Sequence, residues 1–230
     1  MRIFQIGAAG GVGTRLSELL IARGDTVTGM HRKASQAEGI TATGATPVIG
    51  DLIADDIDAL AAKFSGHDAV VFSAGAHGTG REQTSLIDGE GLEKSAAAAA
   101  RAGVRRFLLV SAFPESERGG GRGDDFEHYM RVKKSADVHL AASDLDWLIV
   151  RPGLLRDEPG DGKVTAGLAV DYGEIRRDNV AAFIVAALHE PTLSRVIVEL
   201  TDGPTPVSDA VTSVIAVPVP GRTSLGSATC

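Results

Sequence analysis

A short apolar strand, followed at once by a glycine turn and a helix, opens this chain and constrains its fold more than any other feature. The strand covers residues 3–6, and the turn after it has the spacing Gly7-x-x-Gly10-x-x-Gly13. An amphipathic stretch follows and ends at Gly24. A helix that begins on such a turn points free backbone N–H groups and the positive end of its dipole at the turn, which suits a pyrophosphate. The pattern therefore predicts a dinucleotide site.

Each glycine of the turn has its own predicted purpose. Gly7 permits a sharp exit from the strand, Gly10 keeps a Cβ away from the phosphate, and Gly13 lets the helix lie close to the sheet. The predicted diphosphate-binding residues are Gly7, Ala9, Gly10, Gly11, Val12 and Gly13.

Composition limits the function classes that need to be considered. At 230 residues and 43% hydrophobic, the chain suits one domain with a full core. A net charge of −7 gives no broad basic field for nucleic acid or for an anionic membrane. Its single cysteine, Cys230, excludes an internal disulfide framework, and the histidines lack metal-ligand spacing. We expect a cytoplasmic protein without a leader peptide, a membrane span or a metal, acting on a small-molecule substrate as a monomer or homodimer.

Strand and helix patterns alternate along most of the chain, which predicts an α/β fold. We expect a Rossmann-like, doubly wound parallel sheet with helices on both faces, in a single domain with small C-terminal elements on the substrate side. This NAD(P)-binding domain would cover residues 1–214, and residues 215–230 lack periodicity and predict an extended or mobile tail. The predicted strands are 3–6, 25–30, 46–49, 69–73, 106–110, 147–150 and 196–200, and the predicted helices after the first are 53–64, 85–102, 126–142 and 179–189, the last capped by Asp178.

The end of the second strand indicates which dinucleotide binds. Proteins that prefer NAD usually offer a carboxylate about 20 residues past the glycines, for the ribose 2′-hydroxyl. This chain offers Arg32 and Lys33 instead, which suit a 2′-phosphate. The alternative is that both are solvated loop residues. The pattern favours NADP as the cofactor over NAD.

The next two strand ends supply further candidates for cofactor binding. Asp51 can accept a hydrogen bond from an adenine amino group with Leu52 against the ring, although Asp51 could equally cap the following helix. Ser73, Ala74 and Gly75 are small enough to let the backbone pass close to the cofactor, or are simply a tight turn.

Three side chains are candidates for catalysis. Tyr129 precedes Lys133 by one helical turn, so both side chains lie on one face. An ammonium beside a phenol lowers the pKa of the phenol, and Tyr129 is therefore expected to exchange protons near neutral pH. Ser111 ends the fifth strand, where its hydroxyl could polarise a carbonyl or merely form a turn. A chance Tyr-to-Lys spacing is the alternative for the pair.

Together with the segment that ends in Arg151-Pro152-Gly153, the glycine turn, Ser111, Tyr129 and Lys133 resemble the atypical short-chain dehydrogenase/reductases. The chain is most similar there to small bacterial NAD(P)-binding, epimerase-like or oxidoreductase-like proteins related to biliverdin-IXβ/flavin reductases, over residues 1–214. The resemblance implies that Ser111, Tyr129 and Lys133 are the catalytic set, and that Lys133 also holds the nicotinamide ribose. It implies that Pro152 and Gly153 carry the backbone past the nicotinamide.

The predicted activity is reversible carbonyl reduction with NADP(H). Two alternatives remain: an NADP(H)-binding redox sensor without catalysis, and a flavin or tetrapyrrole reductase that does not use Tyr129. Epimerisation of a nucleotide sugar is disfavoured, because those epimerases have a larger C-terminal lobe than the residues after Gly153 can build. The charged, glycine-rich segment 115–123 suits a flap near the substrate, or a plain flexible connection.

Overall fold

The computed structural model describes residues 1–76 and 78–215, and its centre is a nine-stranded sheet. The strands of the chain are β1 (Arg2–Ile6), β2 (Thr26–His31), β3 (Thr46–Ile49), β4 (Ala69–Phe72), β5 (Arg106–Val110), β6 (Asp146–Pro152), β7 (Leu154–Arg156), β8 (Lys163–Gly167), β9 (Glu174–Arg176), β10 (Val196–Asp202) and β11 (Thr205–Pro206). The order in the large sheet is β11-β8-β10-β6-β5-β4-β1-β2-β3. All pairs from β10 to β3 are parallel, β8 is antiparallel to both β10 and β11, and β7 and β9 form a separate parallel pair. The predicted Rossmann-like sheet is confirmed.

Helices cover both faces of this sheet. They are α1 (Gly11–Ala22), α2 (Ala37–Ala42), α3 (Ile57–Phe64), α4 (Arg81–Thr84), α5 (Gly91–Arg101), α6 (Asp124–Ala141), α7 (Arg177–Leu188) and α8 (Val207–Ile215). A 3₁₀ turn, Ala34–Gln36, precedes α2, and a π-helical segment, Ser85–Glu90, joins α4 to α5.

The core lies in two layers because side chains along each strand alternate between the faces of the sheet. Ile3 packs in the layer under α1, α7 and α8, whereas the neighbouring Phe4 packs in the layer under α3, α5 and α6. The central strands are apolar almost throughout, as is typical of parallel strands covered on both faces. At both ends of the sheet, the outermost strand contains a proline, Pro47 in β3 and Pro206 in β11.

The starts of four predicted helices were wrong, and one of them, predicted at residue 126, lies two residues earlier at Asp124. The helix predicted from residue 53 begins at Ile57, where the Asp56 side chain caps it by accepting from the Ala59 N–H at 2.8 Å. The helix predicted over 85–102 becomes α5 only at Gly91, after the π-helical segment. Asp178 does not cap α7, because it lies inside the first turn and accepts from the Gly160 N–H and from Arg15 instead.

The C-terminal part of the domain is richer in structure than its sequence pattern indicates. Strand β6 continues to Pro152, and β7, β8, β9, β11 and α8 were not predicted; neither were α2 and α4, which lie earlier in the chain. The predicted tail begins at Ile215, which is the last residue of α8, and residues 216–230 lie outside the described part of the chain. The division into residues 1–214 and a tail stays a prediction. Within residues 1–76 and 78–215, no helix combines the length and the apolar character that a membrane crossing requires.

Candidate functional site

Two clefts open at the carboxyl edge of the parallel strands, where open α/β sheets bind their ligands. The first cleft, of about 330 Å³, runs from the glycine turn toward the end of β2. The second, of about 410 Å³, lies between the glycine turn and α6. Gly10, Ser73, Ala74 and Gly75 line both clefts, so the two clefts adjoin each other at these residues.

The glycine turn has the geometry that a diphosphate needs. Gly10 precedes α1 in an extended conformation, and the first turn of α1 contains no acidic residue, so the positive end of the helix dipole is not compensated there. Gly7 has a φ of +84°, and a Cβ at this position would lie 2.6 Å from the Ala74 nitrogen. A Cβ at Gly13 would lie 2.2 Å from the Gly7 oxygen. Gly13 is therefore buried behind the turn, whereas Gly7, Ala9, Gly10, Gly11 and Val12 line the clefts.

Arg177, which sequence analysis missed, lies against this turn. A Cβ at Gly11 would meet the Arg177 Cδ at 2.9 Å, and Arg177 lines the second cleft. Its Nη1 is 2.9 Å from an oxygen of Asp157, a largely exposed carboxylate. A local sequence pattern could not have found Arg177, because the sheet topology alone brings α7 beside α1.

The first cleft collects the predicted residues for the adenosine half of a dinucleotide. Arg32, Lys33, Asp51 and Leu52 all line it. The backbone N–H groups of Arg32 and Lys33 both donate to Gln36 Oε1, at 3.2 and 2.9 Å, which fixes the loop that presents their cationic side chains. Asp51 accepts from the Ile53 N–H at 2.8 Å within a turn, so it does not cap α3.

The second cleft brings Ser111, Tyr129 and Lys133 together. Lys133 is buried, and its Nζ donates to the Val110 carbonyl at the end of β5, at 3.1 Å. Ser111 follows β5 directly, and its buried Oγ lies beside the Asp137 carboxylate without a hydrogen bond of normal geometry. Because a buried hydroxyl without a well-formed hydrogen bond is costly, a ligand in this cleft would gain by bonding to Ser111 Oγ.

Like Gly13, the predicted cofactor residues Pro152 and Gly153 line neither cleft. Pro152 is still part of β6, opposite Leu200 of β10. The Gly153 N–H donates to the Leu200 carbonyl at 2.9 Å, and a Cβ at Gly153 would lie 2.1 Å from the Gly173 oxygen. Gly153 is therefore explained by a close backbone crossing, and the contact of these two residues with a nicotinamide stays a prediction.

Two buried carboxylates beside the candidate catalytic residues were also missed. Asp88 lies in the π-helical segment, and its Oδ1 is 3.6 Å from the Lys133 Nζ. Asp137 accepts from Arg151 Nε at 2.9 Å. Asp137 follows Lys133 by one further turn of α6, so the spacing Tyr129, Lys133, Asp137 was a usable signal. No comparable signal marks Asp88.

The charges around Tyr129 contradict one expectation from the sequence. The pKa of Tyr129 is raised, not lowered: burial is the largest cause, and Asp88 and Asp137 add to it, while Lys133 acts in the opposite direction. Burial opposes the charge of Lys133, but the attraction of Tyr129, Asp88 and Asp137 outweighs it and raises the pKa of Lys133. Tyr129 is therefore a neutral phenol at neutral pH.

The segment predicted as a flap folds back on the start of α6. Arg122 lies over the ring of Phe126, 4.6 Å from its centroid, and Phe126 lines the second cleft. Arg118 pairs with Glu127 at 3.0 Å. The segment thus touches the wall of the second cleft, and its mobility stays a prediction.

Comparison with known proteins gives a consistent family. Residues 7–191 match the NAD(P)H-binding family. The uncharacterized sugar epimerase YhfK of Bacillus subtilis is 38% identical over 213 residues, which are 92% of this chain and 99% of YhfK. A solved Bacillus halodurans protein, provisionally described as an NAD-dependent epimerase/dehydratase, is 32% identical with a TM-score of 0.86, over 93% of this chain and 100% of its own.

A third similarity concerns the fold alone. ChuY of Escherichia coli O157:H7, an anaerobilin reductase, is 24% identical with a TM-score of 0.73, over 89% of this chain and 100% of its own. The two solved proteins thus share the fold of this chain. The chain belongs to the NAD(P)H-binding family and has the fold of an atypical short-chain dehydrogenase/reductase.

Proposed function

We propose that this protein is an NADP(H)-dependent oxidoreductase that transfers hydride to or from a small carbonyl or alcohol substrate. One observation carries the proposal: Ser111, Tyr129 and Lys133 line a cleft that is continuous with the glycine turn. A hydroxyl, a phenol and an ammonium at the edge of a dinucleotide site are the groups that carbonyl reduction requires.

The preference for NADP is supported by the charge of the first cleft. Arg32 and Lys33 line it, and the ribose end of the cleft offers a guanidinium that can bond a 2′-phosphate in two places. Gly7, Gly10, Gly11 and the free N–H groups of α1 would hold the diphosphate. When bound, the reduced nicotinamide supplies the hydride.

In the proposed reduction, Tyr129 donates its proton to the substrate oxygen while Ser111 donates a hydrogen bond to the same oxygen. Lys133, anchored on the Val110 carbonyl, keeps the phenol in position and would hold the ribose hydroxyls. In the oxidation direction Tyr129 accepts the proton. Phe126, Leu155 and Val110 line the cleft as apolar wall, which favours a small substrate with little charge.

Sugar epimerisation, the activity in the name of YhfK, has weaker support. Most of the chain after Gly153 is used to complete the sheet and its covering layer, because β8, β10, β11, α7 and α8 all belong to it. Little remains to enclose a nucleotide sugar.

The test is Tyr129→Phe, assayed for NADPH oxidation against a panel of aldehydes and ketones. We expect kcat/KM to fall by about 10²- to 10⁴-fold because the proton donor is lost. The Kd for NADPH, measured by calorimetry, should stay within about threefold because no phosphate contact changes. Tyr172→Phe is the matched control, since Tyr172 is the other tyrosine of the chain and lines neither cleft.

Two other outcomes separate the alternatives. If flavin or a tetrapyrrole is reduced equally well by the parent and by Tyr129→Phe, the protein is a reductase that does not use Tyr129. If NADPH binds but no acceptor is reduced, the protein is a sensor of the dinucleotide, and the proposed activity is wrong.

A further inference from the structure

Asp88 is a charged group at the centre of the second cleft for which the proposed mechanism has no use. Its side chain is 2% exposed, and it belongs to the π-helical segment between α4 and α5. π-Helical turns within helices occur frequently at functional sites. A carboxylate this deeply buried is costly unless it is paired, so its surroundings must account for it.

The two oxygens of Asp88 join two different parts of the site. Oδ2 accepts from the Ala76 N–H at 2.9 Å, on the loop after β4 that lines both clefts. Oδ1 lies 3.6 Å from Lys133 Nζ, and it has no hydrogen bond of its own. A Cβ at Gly75 would lie 3.2 Å from Oδ1, so only a small residue there allows the approach.

We propose that Asp88 is a positioning residue that holds Lys133 in the second cleft and neutralises its charge locally, so that Tyr129 enters the reduction as a protonated donor. This inference rests on the proposed function for the role of Tyr129. It differs from the expectation that an unpaired ammonium activates the phenol as a phenolate.

Electrostatics supports the inference. A lone ammonium next to a phenol stabilises the phenolate, but an ammonium paired at 3.6 Å with a carboxylate presents little net charge. Asp137, which also faces Tyr129 from α6, is paired with Arg151. The raised pKa of Tyr129 has burial as its first cause and Asp88 among the others.

The remaining charged groups of the cleft are compensated as well. Arg81 of α4 pairs with Asp125 of α6 at 2.6 Å, and Arg177 of α7 pairs with Asp157. On α6, His128 shares a hydrogen bond with Ser85 of the π-helical segment, at 2.9 Å. Among the described residues that line this cleft, every cation other than Lys133 is thus paired with a carboxylate outside the Tyr129–Lys133–Asp88 group.

The reduction balances with a protonated Tyr129. The carbonyl carbon takes the hydride of the reduced dinucleotide, and the carbonyl oxygen takes the Tyr129 proton, which gives an alcohol. The resulting phenolate regains a proton from solvent before the next turnover. Asp88 exchanges nothing in this scheme, and its effect on the reaction is exerted through Lys133 and Tyr129.

Because the chain has two tyrosines, the ionisation of Tyr129 can be followed directly in a Tyr172→Phe background, by the phenolate absorbance near 295 nm. We expect no ionisation of Tyr129 below a pH of about 10, the ordinary value for tyrosine. In the same background, Asp88→Asn should lower the midpoint by about one pH unit or more, because the ammonium is no longer paired. Asp58→Asn is the matched control, an equal change of charge in an exposed pair with Arg101 on α3 and α5, and it should leave the midpoint in place.

Either of two results overturns the proposal: Tyr129 ionising well below pH 10 with Asp88 intact, or a folded Asp88→Asn protein with an unchanged midpoint. The titration of Tyr129 with Asp88 intact tests the proposal even if the Asp88→Asn protein fails to fold. Circular dichroism would reveal such a failure. The titration needs neither dinucleotide nor acceptor, so it stands apart from the proposed activity. If the activity is found, the alkaline limb of the kcat/KM profile should move with the midpoint in Asp88→Asn.

Discussion

The buried polar groups at the two edges of the same sheet differ in what can reach them: Ser111 and Asp88 at the carboxyl edge line an open cleft, whereas Asp25 and Arg106 at the amino edge line neither cleft. Buried side-chain atoms without a hydrogen bond of normal geometry occur at both edges: Ser111 Oγ and Asp88 Oδ1 at the carboxyl edge, and Asp25 Oδ2 and Arg106 Nε at the amino edge. At the amino edge, Asp25 receives the N-terminal ammonium at 2.6 Å and His189 at 3.1 Å. Arg106, also at the amino edge, donates to the carbonyls of Leu193 and Ala187 at 2.8 and 2.7 Å.

Polar groups that line a cleft can bond to a ligand, whereas polar groups away from the clefts can bond only within the protein and so contribute to its stability. A buried polar atom without a partner costs free energy in the ligand-free protein, and a ligand that supplies the partner recovers it. Changes at the carboxyl edge should therefore alter binding and turnover more than stability. Changes at the amino edge should do the reverse.

The largest effect at the carboxyl edge is expected from Gly13→Ala. The added Cβ would lie 2.2 Å from the Gly7 oxygen, so α1 must move away from the turn. We expect NADPH affinity to fall by about 100-fold or more, measured by calorimetry, because the N–H groups at the start of α1 lose their alignment. Gly39→Ala is the control: a Cβ at Gly39 in α2 meets nothing within 4 Å. Unchanged affinity in Gly13→Ala would mean that the turn serves only for packing.

An intermediate effect is expected from Arg32→Asp at the end of β2. Replacing a cation with a carboxylate repels a 2′-phosphate and offers an acceptor to a 2′-hydroxyl. The ratio of NADPH to NADH affinity should fall by about 10- to 100-fold, with no change in the melting temperature. Arg23→Asp at the end of α1 carries the same change of charge away from the clefts, and it should leave the ratio unchanged. A preference that survives Arg32→Asp would remove the argument for NADP.

The smallest effect is expected from Asp25→Asn at the amino edge. Burial opposes the charge of Asp25, but bonds from the N-terminal ammonium and His189 outweigh it and lower the Asp25 pKa below 3.8. Its contribution to stability is thus fully present above pH 3.8 and is lost as the pH falls through the lower folded value. We expect Asp25→Asn to cost about 1 kcal/mol at pH 7, or about 2–4 °C in melting temperature, with NADPH affinity intact.

The pH dependence separates this effect from a general loss of packing. The deficit of Asp25→Asn relative to the parent should shrink when thermal unfolding is repeated near pH 3. Asp144→Asn, at a fully exposed position, should show no deficit at either pH. An equal deficit of Asp25→Asn at both pH values would contradict the ionic role of Asp25.

The features that could be predicted from the sequence are those set by local geometry. The glycine spacing and the apolar runs of β1, β3 and β5 are local patterns, and the strand over Thr46–Ile49 was predicted to the residue. Tyr129 and Lys133 could be paired because one turn of a helix separates them.

The remainder depends on contacts between distant parts of the chain. Asp88 and Lys133 are 45 positions apart, and Asp88 lies in a π-helical segment that apolar periodicity does not reveal. Lys133 lowers the pKa of Tyr129 as predicted, but burial, together with Asp88 and Asp137, outweighs it, so the predicted net shift of the Tyr129 pKa had the wrong sign. Strands β7 and β9 have only 3 residues each, which is too short for an apolar run to mark them in the sequence. They form a separate pair outside the large sheet.

The prolines in β3 and β11 affect how the molecule behaves in a crowded solution. Within residues 1–76 and 78–215, each lies in a strand that pairs on one side only, and proline has no amide hydrogen to offer on the open side. A strand from another molecule that approached either border would find a gap in the row of donors. Both borders of this sheet are thereby protected against the edge-to-edge growth that leads to amyloid.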